Sequence, residues 1–325
     1  MERIGVVLLH RGDPFGPEAV KPFLRAYYAD PLAHSLPVWS EMQKLWARIR
    51  AAEEHKRVAQ ALFELGGKSP LNHCVETLAH GLEAVLNGDN AGTAAAGFSV
   101  KTAYRYPSSG AAEVVKGLAS EGIARVVGLS LYPQHSPALL ASSATELQRA
   151  CEDKHLSIVD RYATHPKYLE VVRASMDQAL ACFDGDEQPN VAVLFCALPV
   201  AAAHVRDGDP YPQQLSATVR AVTAQLPNPS MLCYLGDEAP RPSVEQALTI
   251  LVQKNSKELL LVPLGTTVDE VSSLHPLEVV LRRRAKELGF RHVERAASPA
   301  SATSFPQALG VLLREHLERL AALGL

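Results

Sequence analysis

The chain has 325 residues, a length that at about 100–200 residues per domain favours two compact domains. Apolar residues make up 47% of the chain and charged residues 21%, a composition that excludes global disorder. The 32 Lys and Arg against 35 Asp and Glu give a formal net charge of −3, so the chain lacks the positive field that attracts a nucleic-acid backbone. We therefore expect no nucleic-acid partner.

The sequence also bears on cellular location. No run of about 18 uncharged apolar residues occurs, so no transmembrane segment is expected. The apolar run near the N-terminus is short and leads directly into a charged turn, which is not typical of a secretion signal. The cysteines are scattered and form no C-x-x-C pair: Cys74, Cys151, Cys182, Cys196 and Cys233. These features indicate free thiols in a reducing cytoplasm.

Short apolar runs of strand length alternate with amphipathic segments, a pattern that predicts an α/β fold with parallel sheets covered by helices. The strands predicted in the first half are Ile4–Leu9, Ala94–Val100, Ala124–Leu131 and Ser157–Tyr162. Those predicted in the second half are Val191–Ala197, Ser230–Leu235, Glu258–Leu264 and Arg291–Arg295. Helical spacing predicts helices over Pro17–Ala29, Val38–Glu64, Asn72–Leu86, Ala111–Glu121, Ala144–Lys154, Tyr168–Phe183, Gln213–Gln225, Val244–Lys254, Leu277–Leu288 and Pro306–Ala322.

This rhythm predicts two similar domains, 1–165 and 166–303, divided near His165–Pro166. The last helix has no strand after it, so we expect residues 304–325 to pack on the first domain. In open parallel sheets, ligands bind beyond the carboxyl ends of the strands. The cleft between the two halves is therefore the expected site.

Several short motifs, in the same order along the chain, resemble the ferrochelatase family, the enzymes that insert ferrous iron into a porphyrin. GVVLLHRGDP and the following PFLRAYYADP are similar to the family's first strand, turn and helix. GGKSPL at 66–71 is similar to the family's glycine turn, YPQHS at 132–136 to its YPQYS, and GDPYP at 208–212 to its GDPYP. LVP at 261–263 resembles the strand before the family's SDHIETL segment. The resemblance implies two Rossmann-like, chelatase-type domains whose parallel sheets face a central cleft.

The positions at which the family transfers protons are changed. The family's SAH histidine lies ten residues before the glycine of GDPYP, and Leu198 stands at that position here. The acid of SDHIETL is replaced by Ser272 and its histidine by Glu270, whereas the aspartate is kept as Asp269. In the family's RY pair, the arginine position is Ala103. A hydrocarbon cannot transfer protons, so metal insertion is expected to be weak or lost.

Other polar residues are expected in the cleft. Arg11, at the end of the first strand, carries a planar guanidinium that suits a carboxylate-bearing ligand. His135 replaces the second tyrosine of the family's YPQYS. We predict that Arg11, His135, Asp269 and Glu270 converge on one cavity. His135 and Glu270 are the candidate catalytic residues, and His135, Asp269 and Glu270 are the candidate metal ligands. The resemblance places a ligand-binding surface at Arg11, Tyr104, Tyr132, Ser136, Leu198 and Ser272.

Structural roles stay open for the same residues. Glu270 would then stabilise the start of a helix, Arg11 would pair with Asp13 or Asp269, and His135 would have a packing role.

Three functions stay open. The first is a ferrochelatase-like lyase in which His135 carries protons. The second is a non-catalytic relative that holds a porphyrin, haem or metal ion, or serves as a scaffold for a protein partner. The third is an enzyme that acts on another small anionic ligand in the same cleft. The expected ligands are accordingly a tetrapyrrole or another small anion, with Fe²⁺ or a different divalent metal. The chain has no C-terminal cysteine cluster, so no iron–sulfur cluster is expected.

Overall fold

The computed structural model describes residues 3–34, 39–88, 97–106, 110–151, 155–236 and 239–324. Within these ranges the chain forms two four-stranded sheets in which every neighbouring pair of strands is parallel. Helices cover both faces of each sheet. The predicted α/β class with two parallel sheets is therefore confirmed.

The two sheets have the same strand order. The first has the order β2-β1-β3-β4, with β1 Ile4–His10, β2 Phe98–Tyr104, β3 Arg125–Ser130 and β4 His155–Val159. The second has the order β6-β5-β7-β8, with β5 Ala192–Ala197, β6 Ser230–Tyr234, β7 Glu258–Leu264 and β8 His292–Arg295. β1 and β5 therefore occupy equivalent interior positions.

The helices connect and cover these strands. They are α1 Val20–Ala29, α2 Ser40–Glu64, α3 Leu71–Asn87, α4 Ala111–Ser120, α5 Pro137–Cys151, α6 Pro166–Leu180, α7 Ala202–Arg206, α8 Tyr211–Thr223, α9 Val244–Gln253, α10 Val271–His275, α11 Arg282–Glu287 and α12 Phe305–Ala322. A π-helical turn, Pro276–Leu281, joins α10 to α11. No helix in the described part of the chain is long and apolar enough to cross a membrane.

The alternation of side chains along β1 explains why it is buried on both faces. Val6 and Leu8 point into the core that includes α3, whereas Val7 and Leu9 point into the core under α4 and α5. The core on the α3 side continues into the second half, because it also contains Phe195 of β5. One apolar core therefore joins the two sheets.

The predicted elements differ from the observed ones at a few boundaries. β4 ends at Val159 rather than Tyr162, because the Tyr162 N–H donates to the Pro133 carbonyl and its hydroxyl donates to the Ser130 carbonyl. The sequence did not predict α7 or α10, because the five residues of each are too few to show helical periodicity. The predicted ends at Val38, Ala94 and Lys154 lie outside the described residues.

The last helix, α12, packs against α3 and α6. The strands of the first sheet fall within 4–159 and those of the second within 192–295. The domain boundary at residue 165 stays a prediction.

Candidate functional site

A tight turn at the carboxyl end of β1 directs the Arg11 side chain toward the second half. Gly12 has φ +91°, and a Cβ at this position would lie 1.8 Å from the Tyr106 carbonyl oxygen, so only glycine fits. The Arg11 carbonyl accepts a hydrogen bond from the Tyr106 N–H at 2.7 Å, and the Arg11 N–H donates to the Tyr132 hydroxyl at 3.2 Å. The backbone on both sides of Arg11 is therefore fixed.

The Arg11 guanidinium forms an ion pair that joins the two halves. Its Nη2 lies 2.6 Å from Glu270 Oε1 and also donates to the Ser272 hydroxyl. Ser272 in turn donates to Glu270 Oε1 at 2.6 Å. The Glu270 side chain is 0% exposed and that of Arg11 11% exposed, so the ion pair is shielded from water. Arg11 therefore pairs with Glu270. The structural role that the sequence left open, in which Arg11 pairs with Asp13 or Asp269, is wrong.

His10 faces the other carboxylate oxygen of Glu270. Its Nδ1 accepts the Gly12 N–H at 3.0 Å, which places the proton of the neutral imidazole on Nε2. Nε2 lies 3.1 Å from Glu270 Oε2, but the two atoms are not aligned as a hydrogen bond. The Tyr132 ring stacks on the imidazole with the ring centroids 5.0 Å apart. Burial lowers the pKa of His10, although the Glu270 carboxylate acts in the opposite direction.

Glu270 is an anion at neutral pH. Burial favours its protonated form, but the charge of Arg11, the His10 contact and the Ser272 hydroxyl outweigh burial and hold the pKa of Glu270 at about 2. A general acid or base works best when its pKa lies near the working pH. The geometry therefore gives Glu270 the role of an ion-pair partner, which does not favour the predicted catalytic role. Glu270 directly precedes α10, yet it is fully buried and not a solvated helix-start acid.

Asp13 is a second buried carboxylate beside this ion pair, and from the sequence it was expected only as a possible partner of Arg11. Its Oδ2 accepts the Val271 N–H at 2.9 Å and the Ser69 hydroxyl, so it too links the two halves. Burial and the charge of Glu270 raise the pKa of Asp13 to about 7, against the opposing effect of its hydrogen bonds. The sequence signal that could have indicated Asp13 as a site residue is its position in the turn directly after an interior strand.

We call the set Arg11, Asp13, Glu270 and Ser272 the clasp. Two predicted members of the site lie outside it. His135 Nδ1 lies 2.8 Å from Asp160 Oδ2. Asp269 is held by Arg295 Nη1 at 3.2 Å and by the Ser298 hydroxyl.

The predicted convergence of four polar residues therefore needs correction, because only Arg11 and Glu270 come together. Each of the other two pairs with a residue of its own half. Among the residues that the structure describes, no three His, Cys, Asp or Glu side chains are grouped to hold a metal ion. His135, Asp269 and Glu270 consequently do not form the predicted metal site.

Most of the positions predicted to bind a ligand are buried. Leu198 is 0% exposed and lies in the core that joins the sheets. Tyr132 and Ser136 are each 1% exposed, and Ser136 donates to Asp209 Oδ2 at 2.6 Å. Tyr104 is also buried, and its hydroxyl has no hydrogen-bond partner. These side chains therefore pack the interior instead of lining an open cleft.

A small cavity borders the clasp. Its volume is about 10 Å³, and its lining includes Arg11, Tyr27, Arg105, Tyr106, Ser142 and Ser143. Pockets for drug-sized ligands have volumes of roughly 300–1,000 Å³. The space beside Arg11 is therefore far smaller than a porphyrin needs.

The fold is shared with solved structures that define a chelatase-like class. SirB from Bacillus subtilis with Fe³⁺ matches with a TM-score of 0.57 and 10% identity, over 97% of this chain and 95% of that one. DR2241 from Deinococcus radiodurans, whose description reports structural similarity to chelatases, matches with a TM-score of 0.52 and 10% identity, over 95% of this chain and 54% of that one. At such identities the likeness concerns the fold alone.

Sequence comparison gives the family. The Ferrochelatase family profile matches residues 3–317. Ferrochelatases of Geotalea uraniireducens and Geobacter metallireducens are each 31% identical over 324 residues, covering 97% of this chain and 98% of theirs. The mitochondrial ferrochelatase of Gallus gallus is 27% identical over 329 residues, covering 97% of this chain and 80% of its own. The chain belongs to the ferrochelatase family, as its motifs predicted.

Proposed function

We propose that this chain is a non-catalytic member of the ferrochelatase family, which acts by binding and does not insert metal ions into porphyrins. The observation that carries the proposal is the buried Arg11–Glu270 ion pair, with its 2.6 Å contact across the two halves. It occupies the end of β1 and the segment after β7, where the resemblance implies the reactive cleft.

Proton transfer is the first reason. Metal insertion replaces porphyrin N–H protons, and groups at the site must accept them. Leu198 and Ser272 stand at the two positions the family uses, and neither ionises in the physiological range. Glu270 is a weak base because Arg11 helps to hold its pKa at about 2. Within the clasp only Asp13 has a pKa near neutral, at about 7, but it is buried and its Oδ2 already accepts hydrogen bonds from the Ser69 hydroxyl and the Val271 N–H.

Room for the substrates is the second reason. Among the described residues, no three His, Cys, Asp or Glu side chains come together as a set of metal ligands. The cavity beside Arg11 has a volume of about 10 Å³, so a porphyrin would enter only if the clasp opened. Opening would separate Arg11 from Glu270, and breaking a buried ion pair costs about 3–5 kcal/mol.

We also propose a cellular location for the protein and a test of what it binds. The five free cysteines support a cytoplasmic location, because disulfides are rare there. A tetrapyrrole, another small anionic ligand and a protein partner are the alternatives for what the protein binds. A spectroscopic titration with protoporphyrin distinguishes them, and we expect no shift of the Soret band for the wild type at micromolar protein.

The direct test is a metal-insertion assay beside the Geobacter metallireducens ferrochelatase. Fe²⁺ and Zn²⁺ would be supplied with protoporphyrin and with coproporphyrin at equal enzyme concentration. Loss of a general base costs about 10²–10⁴-fold in rate, so we expect turnover at least about 100-fold slower than that of the relative. Turnover within a factor of about ten would reject the proposal.

Variants that restore the family's residues test why metal insertion is lost. Arg11 already binds Glu270 and Ser272, so a carboxylate introduced at position 272 would be captured by Arg11. The triple variant Arg11→Met, Leu198→His, Ser272→Glu should therefore gain metal insertion over the double variant that keeps Arg11. Arg283→Met, at an exposed arginine on α11, is the matched control and should leave the double variant unchanged.

A further inference from the structure

Helix α2 turns its larger apolar side chains toward solvent. The positions that it buries in its first three turns are Gln43, Ala47 and Ala51. Four apolar residues at spacings of three or four are each more than half exposed, and we call them the outer stripe: Trp39, Met42, Leu45 and Ile49. A surface helix normally turns its apolar face toward its own core. A cluster of large exposed apolar side chains is typical of an interaction surface.

The outer stripe is nearly symmetric about Lys44. Trp39 and Ile49 lie five residues before and after Lys44. Met42 and Leu45 lie two residues before and one residue after it. When two copies of α2 pack antiparallel about a two-fold axis at this point, the outer stripe of one copy therefore meets that of the other. A two-fold interface uses the same patch on both subunits, so the patch has to match itself after rotation. Neither a lipid surface nor an unrelated protein imposes this requirement.

The charged residues Glu41 and Arg48 follow the same symmetry. They lie seven residues apart, which places both on one side of α2 beside the outer stripe. They also lie three residues before and four residues after Lys44, so antiparallel packing sets Glu41 of each copy level with Arg48 of the other. Glu41 is exposed and contacts Lys44 at 2.7 Å, but such an exposed pair contributes little and leaves the carboxylate able to turn. Opposite charges at the margin of a helix pair favour one orientation.

We propose that the protein forms a two-fold symmetric dimer in which the outer stripes of two copies pack antiparallel and Glu41 of each copy binds Arg48 of the other. The interface consists of one short helical segment from each copy, so we expect a weak dimer with a micromolar dissociation constant. None of these residues belongs to the clasp. The dimer is therefore independent of what the protein binds and of whether it inserts metal.

Sedimentation velocity from low to high micromolar concentration tests the proposal on the full chain. We expect a reversible change from monomer to dimer. Leu45→Glu places two carboxylates in the middle of the interface and removes apolar burial twice, so it should weaken dimerisation at least about 100-fold. Phe63→Glu, on the same helix but outside the outer stripe and 73% exposed, is the control and should leave dimerisation unchanged. A monomer at every concentration, or an equal dimer in Leu45→Glu, would overturn the proposal.

Exchanging the charges tests the antiparallel orientation. Glu41→Arg sets like charges opposite each other at both ends of the interface, and so does Arg48→Glu, so each should weaken dimerisation at least about tenfold. The double variant Glu41→Arg, Arg48→Glu should recover the wild-type dissociation constant. A double variant as weak as the single ones would overturn the proposed pairing. Wild-type protein that stays monomeric and binds vesicles of phosphatidylglycerol through Leu45 would also overturn it, and would assign the outer stripe to a lipid surface.

Discussion

The ends of β1 and β5 occupy equivalent positions in two sheets of the same strand order, yet they carry opposite chemistry. β1 ends at His10 and is followed by Arg11 and, two residues further, Asp13, all three ionisable. β5 ends at Ala197 and is followed by Leu198, which is 0% exposed. The same topology therefore places charged side chains at the end of β1 and an apolar side chain at the end of β5.

The fold determines where the two strand ends lie, but it does not determine which residues stand there. Parallel order aims the carboxyl ends of the interior strands at the junction of the two halves, whichever residues stand there. The chemistry of that junction comes from the residues alone. Here the charged end of β1 is neutralised by Glu270, from the segment after β7, and the end of β5 adds packing only. The junction therefore contains a buried ion pair that joins the two halves.

Removing the Glu270 charge that pairs with Arg11 should have the largest effect on the free energy of unfolding. Glu270→Gln keeps the shape of the side chain but leaves the buried guanidinium without its anion. Breaking a buried ion pair costs about 3–5 kcal/mol, so we expect the free energy of unfolding to fall by that amount in urea at pH 7.5.

A double-mutant cycle controls for the loss of shape at position 270. The double variant Arg11→Met, Glu270→Gln lacks both charges. Its loss in free energy of unfolding should be smaller than the sum of the losses of the two single variants. A loss below about 1 kcal/mol for Glu270→Gln would contradict the structural role of the clasp.

The hydrocarbon end is tested by shortening Leu198. Leu198→Ala removes buried methyl groups from the core that joins the sheets, and such changes cost about 2–5 kcal/mol. Urea unfolding measures the loss, and Leu323→Ala is the control because Leu323 is 73% exposed. A similar, small loss for both variants would show that position 198 tolerates an open cavity and that packing is not its role.

The fold was predictable because the relevant signals are local. Buried strands of parallel sheets are short apolar runs and the covering helices are amphipathic, so all eight strands were placed near their observed positions. The central part of the site was predictable as well, since Arg11 and Glu270 do meet. The resemblance to a family supplied the two positions, and the chemistry of arginine and glutamate supplied the attraction.

The partners of His135 and Asp269 were not predicted, and the sheet topology explains why. His135 lies in the loop after β3 and contacts Asp160, which directly follows the adjacent strand β4. Asp269 lies after β7 and contacts Arg295, the last residue of the adjacent strand β8. Each side chain therefore pairs along its own sheet edge and not across the junction, a choice that depends on strand order rather than on the motif.

The carboxyl group of Asp13, after the end of β1, should make stability depend on pH, whereas Ala197 and Leu198 at the end of β5 carry no ionisable side chain. The pKa of Asp13 is about 7 in the folded chain, raised from 3.8, so the folded state keeps a proton that the unfolded state has lost. Asp13 therefore stabilises the fold fully below about pH 4, and this contribution is lost as the pH rises to about 7.

Asp13→Asn should remove this dependence and flatten the free energy of unfolding between pH 5 and 8. Guanidinium unfolding at a series of pH values is the measurement, and Asp177→Asn, at an exposed position on α6, is the control. An unchanged slope in Asp13→Asn would assign the pH dependence to other groups.

The smallest effect is expected at Ser272, where the clasp loses a neutral member and keeps its ion pair. Ser272 accepts a hydrogen bond from Arg11 and donates one to Glu270, and Ser272→Ala removes both. A net hydrogen bond contributes about 0.5–1.5 kcal/mol, and the two charged groups still satisfy each other, so we expect a loss of about 1 kcal/mol. Urea unfolding at pH 7.5 beside Glu270→Gln gives the comparison. A loss as large as that of Glu270→Gln would mean that Ser272 positions the carboxylate and that the ion pair does not form without it.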